Sequence, residues 1–290
     1  MKNIYCIVVP VYKDKLDITE ELSFKRLKEL IGKTVDVYLI CPEGINTKQY
    51  KKIYSQIKIK EFDKKWFENT KSYSHLLINY DFYKAFDEYE YMYIYQLDCY
   101  LFKNELQEWV NKGYDYIGGP ILSPLSGWAE PNKQWKPIVG NGGFSLRKIE
   151  KFKEITDPNG EYRTYYNITD ETLKDLEFED KYFCKFVYNR YEFNTPDWRE
   201  AMYFAFDMNV NIYYDNMNFK GFPMACHAWP KNIRYWVSHC DEMNNKEIID
   251  FCEEKHKEYF ELYYKDFEER QKILVEREQK AIEESKKAKS

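Results

Sequence analysis

Long apolar runs, paired cysteines and an excess of positive charge are all missing from this chain of 290 residues. No segment reaches the roughly 18 uninterrupted apolar residues that a membrane-spanning helix needs, so no membrane span is expected. The opening run, MKNIYCIVVPVYKDK, is broken at Pro10, too early for the apolar core of a secretion signal. The seven cysteines (Cys6, Cys41, Cys99, Cys184, Cys226, Cys240 and Cys252) show neither a CxxC pair nor the regular framework of a small secreted domain. Free thiols in a cytoplasmic protein are the expectation. Lys and Arg total 44 against 49 Asp and Glu, a net charge of −5. Without a basic stripe interleaved with aromatics, the electrostatic footprint of nucleic-acid binding is absent. The phosphate-cradling patterns GxGxxG and GK[ST] are also missing. No glycine-rich loop with a following basic residue lies near the first strand, which disfavours a nucleotidyltransferase.

What is present is enough apolar residue, 44%, to bury one large core, or one core and an appendage. The 28 Tyr and 19 Phe suit carbohydrate stacking, yet with abundant Lys, Asn and Ile they read first as the bias of a low-GC genome. Ile4 to Val11 reads as a β-branched strand and Glu20 to Ile31 as an amphipathic helix. Val35 to Ile40 and Ile57 to Phe62 follow as strands. Ser72 to Tyr89 has helical spacing and leads into a strand at Tyr91. Leu106 to Asn111 is expected as a short helix, Tyr114 to Ile117 as a strand, and a further helix starts at Lys148. Strands alternating with helices predict an α/β fold with a mainly parallel sheet and right-handed crossovers.

Ser123 to Pro137 has no period and holds Trp128 and Trp135, which fits a sugar-contacting lid and equally a loop pinned to the core. From Asp241 the apolar residues Ile248, Cys252, Tyr259, Tyr263 and Phe267 keep helical spacing, and the last stretch is of mixed charge. A domain over residues 1–240 and a long helical extension over 241–290 are therefore expected. The charged end of that extension reads as a solvated face, with docking at a membrane surface as the alternative.

Five segments carry chemistry. YMYIYQLDCYLF delivers one carboxylate, Asp98, at the end of a hydrophobic run. A carboxylate at the C-terminal edge of a parallel sheet suits a divalent cation or a ribose hydroxyl, against the plainer reading of a turn residue. YDYIGGP ends at Pro120, and VGNGGFSLR offers backbone N–H groups and room for close approach at Gly140 to Gly143. Glu179 and Asp180 stand together before an aromatic run, where carboxylates also serve as helix caps. PMACHAW holds His227, a lone histidine of a kind that is more often structural.

In that order, QLD, DYIGGP and GNGGFSLR, with the acidic pair and CHAW, resemble a family of bacterial domains in the GT-A glycosyltransferase superfamily, known as a domain of unknown function. The resemblance covers Ile4 to Trp229. It implies a GT-A-like fold and transfer of a sugar from a nucleotide-sugar donor to a glycan or lipid-linked glycan acceptor, as in capsule or other surface-polysaccharide synthesis. The setting it implies is cytoplasmic; peripheral association at the inner membrane is the alternative reading of the C-terminal helix, which lies beyond the resemblance.

The resemblance aligns Gln96 with the first acid of the family's DxD metal motif and Asp98 with the second. Asp98 and His227 become ligands to Mn²⁺ or Mg²⁺, and Gln96 a ribose or sugar contact. Asn141, Gly142 and Gly143 fall beneath the donor sugar. Asp180 falls on the catalytic base, Glu179 on an acceptor or structural ligand, and Arg147 on a support for the loop. Gln96 in place of an acid weakens the metal motif, which keeps open metal-independent transfer, a register with Asp98 as the first acid and Tyr100 in place of the second, and a non-catalytic glycan- or nucleotide-binding module on the same fold.

Overall fold

The computed structural model describes residues 3–121, 138–165, 168–174, 176–180, 182–184, 193–207, 210, 219–258 and 261. The tryptophan-bearing loop expected at 123–137 and the charged stretch beyond 261 lie outside the described residues.

Six strands form the main sheet in the order β3-β2-β1-β4-β9-β6. They are β1 (Asn3–Pro10), β2 (Asp36–Pro42), β3 (Lys58–Phe62), β4 (Tyr89–Tyr95), β6 (Tyr116–Gly118) and β9 (Phe144–Lys148). The first four are mutually parallel, and β9 runs antiparallel between β4 and β6. The mixed α/β architecture with a mostly parallel sheet agrees with the fold class expected from the sequence.

Strand β1 shows why the runs are continuously apolar. Ile7 and Val9 enter one core with Phe24, Leu27 and Ile31, while Cys6 and Val8 enter another with Leu76, Leu77, Phe82 and Phe152. A strand buried on both faces has no polar side, so alternation disappears.

The helix Ile18–Ile31 covers the first face. Asp17 accepts hydrogen bonds from the N–H groups of Thr19 and Glu20, and the Glu20 carboxylate accepts from the Asp17 N–H at 2.9 Å, a reciprocal cap. The helix stops at Gly32, whose φ of 59° suits a residue without a β-carbon. On the opposite face, the stretch expected as one helix from Ser72 is two, Thr70–Leu77 and Tyr80–Lys84. The division falls at Asn79, whose side chain accepts from the Asp81 N–H at 2.8 Å and starts the second helix.

Two smaller sheets flank the main one. Strands β10 (Ala205–Phe206), β11 (Ala225–Cys226) and β5 (Tyr100–Leu101) form one, and β7 (Pro120–Ile121) with β8 (Ile138–Val139) the other. All seven cysteines are buried as free thiols.

The chain divides into two compact units, residues 1–232 and 233–290, against an expected boundary after 240. In the second unit the helix Lys246–Lys255 buries Ile248 and Cys252 and is capped by Asn245. Arg234 and Glu253 form an ion pair at 2.8 Å within it. This helix ends at Lys255, with His256 at its C-terminal cap, so within the described residues the extension contains a ten-residue helix.

Candidate active site

Strand β1 lies between β2 and β4, so the chain winds outward from β1 in both directions. In open α/β sheets such a reversal leaves a crevice beyond the carboxyl ends of the central strands, where ligands bind. Four separate segments meet at the end of β4.

The first is the turn Gln96–Cys99, closed by the Cys99 N–H on the Gln96 carbonyl at 2.9 Å. The second is the glycine turn before β9, placed there by the antiparallel register Tyr95 with Phe144. The Gly143 carbonyl accepts from the Gln96 N–H at 3.0 Å and from the Cys99 thiol at 3.2 Å. The third is the end of β11, where the Trp229 N–H donates to the Asp98 carbonyl at 3.1 Å. The Trp229 indole anchors this segment by donating to Ser23 Oγ at 2.8 Å. The fourth is the end of β10. Phe206 pairs with Cys226, so Asp207 and His227 leave the sheet side by side.

His227 joins two carboxylates. Its Nδ1–H donates to Asp207 Oδ1 at 2.9 Å, and its Nε2 lies 3.4 Å from Asp98 Oδ2. Burial alone disfavours the charged imidazole, but Asp98 and Asp207 outweigh it and push the pKa of His227 up to about 10. Asp98 is held below the usual carboxylate range: burial opposes its charge and His227 overrides that. The next residue, Ala228, has φ of 52°, a left-handed conformation that costs about 1 kcal/mol or more without glycine. It lies between the residue facing Asp98 and the residue anchored at Ser23.

The glycines make room for side chains. A β-carbon on Gly143 would stand 2.2 to 2.6 Å from three atoms of the His227 ring, and one on Gly142 would stand 2.1 Å from Glu179 Oε1. Asn141 is buried, and its Oδ1 accepts from the Gly143 N–H at 3.0 Å. That N–H is therefore engaged within the turn itself.

Behind the turn lies a buried ion pair. Arg147 is fully buried and donates to Glu179 Oε1, Tyr83 Oη and Ser145 Oγ, each at 3.0 Å. The rings of Phe152 and Phe183 stand 5.4 Å from its guanidinium. The other oxygen of Glu179 accepts from Ser74 Oγ at 3.3 Å. With both oxygens engaged and 6% of its surface exposed, Glu179 has the surroundings of a structural acid. Asp180, its half-buried neighbour, follows it in the same short helical stretch.

The structure thus gathers Gln96, Asp98, Asn141, Gly142, Gly143 and His227 around one point and sets Glu179 behind them. Sequence reasoning missed Asp207, though AMYFAFD carries the same signal as MYIYQLD, an apolar run ending in one acid. Tyr12, which follows β1, has 65% of its surface exposed.

A model of the family described as "Protein of unknown function (DUF5672)" matches residues 56–227. The chain belongs to this family. The DUF5672 match begins just before β3 and ends on His227, so it includes Gln96, Asp98, the glycine turn, Asp207 and His227, whereas Ala228 and Trp229 lie beyond it. By fold, this DUF5672 protein is similar to mouse xyloside xylosyltransferase 1 in its apo form, with a TM-score of 0.53 and 11% identity over 77% of this chain and 97% of that one. It is also similar to galactosyltransferase LgtC in complex with donor and acceptor sugar analogues, with a TM-score of 0.51 and 10% identity over 76% of this chain and 86% of that one. The fold is that of GT-A glycosyltransferases. No curated protein matches the chain by sequence.

Proposed function

We propose that this DUF5672 protein is a metal-dependent glycosyltransferase that moves a sugar from a nucleotide-sugar donor to a glycan or lipid-linked glycan acceptor. The observation that carries the reading is the pairing of Asp98 with His227 at the carboxyl end of β4. A carboxylate oxygen and an imidazole nitrogen 3.4 Å apart are a donor set that suits a divalent cation. Among the described residues no three His, Cys, Asp or Glu side chains form a metal-holding group. Asp98 and His227 would be the residues of this chain that hold Mn²⁺ or Mg²⁺. A bound divalent cation neutralises charge on a departing diphosphate.

The chain's own side chains do the rest. Tyr12, exposed beyond β1, offers a ring for the nucleotide base to stack on. Gln96 presents a neutral carboxamide to a ribose or sugar hydroxyl. Asn141, with its oxygen committed to Gly143, directs its amide N–H groups at the donor sugar. Asp180 accepts the proton of the acceptor hydroxyl as that oxygen attacks the anomeric carbon, and Glu179 stays paired with Arg147. The expected setting is assembly of capsule or another surface polysaccharide on the cytoplasmic side of the inner membrane, with peripheral association through the C-terminal unit. Among the described residues no helix is long and apolar enough to cross a membrane.

A second reading, a non-catalytic binding module, is favoured by one feature, Gln96 where an acid would strengthen the metal set. A panel of nucleotide sugars screened by thermal shift with and without Mn²⁺ separates the readings. A ligand that binds the folded state raises its apparent stability by mass action. The transferase reading requires one donor to stand out with Mn²⁺ and then to release nucleoside diphosphate when acceptor is supplied. Stabilisation without release favours the module, and release of pyrophosphate would indicate a nucleotidyltransferase.

A further inference from the structure

We infer that Asp207 is a positioning residue, whose carboxylate fixes the His227 imidazole in the one orientation that turns Nε2 toward Asp98 and a divalent cation. The inference deepens the reading of Asp98 and His227 as metal ligands and rests on it.

An imidazole can turn over about its Cβ–Cγ bond between two broad, roughly equivalent settings. Shape alone distinguishes them poorly, because the turn exchanges Nδ1 with Cδ2 and Nε2 with Cε1 in nearly the same outline. Hydrogen bonding distinguishes them well. In the observed setting Nδ1–H meets Asp207 Oδ1 at 2.9 Å and Nε2 faces Asp98. Turned over, a carbon faces the Asp207 carboxylate and Nε2 leaves Asp98.

Three further observations make the carboxylate a fixed reference. Asp207 is nine-tenths buried, with 9% of its surface exposed. A carboxylate withdrawn from water keeps a hydrogen bond strongly, since losing one leaves a buried charge unpaired. Its place beside His227 is set by the backbone, because β10 and β11 pair in parallel and the His227 N–H donates to the Phe206 carbonyl at 2.8 Å. Gly143 closes the other side, where the missing β-carbon leaves room for Cγ, Cδ2 and Nε2 of the ring. A carboxylate on the far nitrogen of a metal-binding histidine sets the ring's direction and basicity, and its loss costs about 10- to 100-fold in metal affinity.

The test uses the full chain and Mn²⁺ alone, with free Mn²⁺ followed by electron paramagnetic resonance at a temperature where every variant is folded. Asp98→Ala and His227→Ala are expected to abolish binding, and Asp207→Ala to weaken it about 10- to 100-fold. Asp207→Asn keeps the size and an acceptor oxygen, so it guards against misfolding and should show a smaller loss. In metal-free protein with ¹⁵N-labelled histidine, Asp207→Ala should remove the strongly hydrogen-bonded Nδ1–H signal of His227.

If Asp98→Ala and His227→Ala lose Mn²⁺ while Asp207→Ala binds it like the parent protein, the role of Asp207 is overturned and the metal reading stands. That role is overturned equally if Asp207→Ala lowers thermal stability without moving the Mn²⁺ midpoint. If the parent protein binds no Mn²⁺, or if Asp98→Ala and His227→Ala leave binding unchanged, both ideas fall together.

Discussion

Gly143 lies so close to the imidazole of His227 that a β-carbon on it would stand 2.2 Å from Cδ2 and 2.3 Å from Nε2. Gly143→Ala should therefore displace the ring from Asp98. Mn²⁺-supported binding of the nucleotide sugar is expected to fall at least about tenfold. Stability should fall by about 1 to 3 kcal/mol, the usual cost of overpacking a filled site. Calorimetric titration and chemical denaturation measure the two effects, and parental binding would contradict the contact.

Arg147 and Glu179 should behave as a buried pair. Arg147→Met or Glu179→Leu leaves a charge or its partner uncompensated, with an expected loss of about 3 to 5 kcal/mol. Combining Arg147→Met with Glu179→Leu removes both charges, so the double variant should be more stable than the sum of its single changes implies. Urea unfolding of the four proteins reads the coupling directly, and simple additivity would show that the pair does not act as one.

Asp98→Asn removes the carboxylate facing His227 and keeps the size of the side chain. The protein should fold as before and lose the thermal stabilisation that Mn²⁺ adds to donor binding. An unchanged Mn²⁺-dependent shift would remove Asp98 from the site.

Asp180→Asn should leave nucleotide binding nearly unaltered and slow transfer by about 10²-fold or more, the scale of a lost general base. Glu179→Gln, compared at a urea-free temperature where it remains folded, should affect stability first. A larger loss of turnover in Glu179→Gln would reverse the two assignments.

Asp36 at the head of β2 gives a pH-dependent term. Burial raises its pKa, and hydrogen bonds from Lys58 and Tyr89 outweigh that, so the folded value lies below the unfolded one. Its contribution is present above the unfolded pKa and disappears as pH falls through the folded one. A third of its side chain is exposed, so screening keeps the term below about 1 kcal/mol. Asp36→Asn should flatten the acid limb of the stability curve by that small amount, measured by denaturation between pH 6 and pH 3.

The legible parts of this molecule are those where one short segment carries its own signal. Strand β1 declares itself by β-branched residues, and Asp98 by being the lone acid at the end of β4. The division at Asn79 is also local in origin, a capping residue inside an otherwise continuous helical period. Asp207 is harder to see because its strand, β10, is two residues long and follows a helix without a break, so AMYFAF reads as one amphipathic element. Glu179 is the reverse case. Its position before an aromatic run suggests a cap or a base, and its actual partner, Arg147, is 32 residues away and found only through the fold. The glycines at 142 and 143 invite a phosphate loop by composition, whereas their use is to admit His227 and Glu179.

The anchor of Trp229 on Ser23 joins groups 206 residues apart in the chain. Contacts that close so large a loop gain nothing until most of the intervening chain is ordered, so they form late and slow the search for the native state. The site is built from four such distant segments, and its assembly therefore reports completion of the first unit. Until Gln96–Cys99, the glycine turn and the ends of β10 and β11 have come together, Asp98, Asp207 and His227 are not within reach of one another, so the site forms only with the long-range contacts of the first unit.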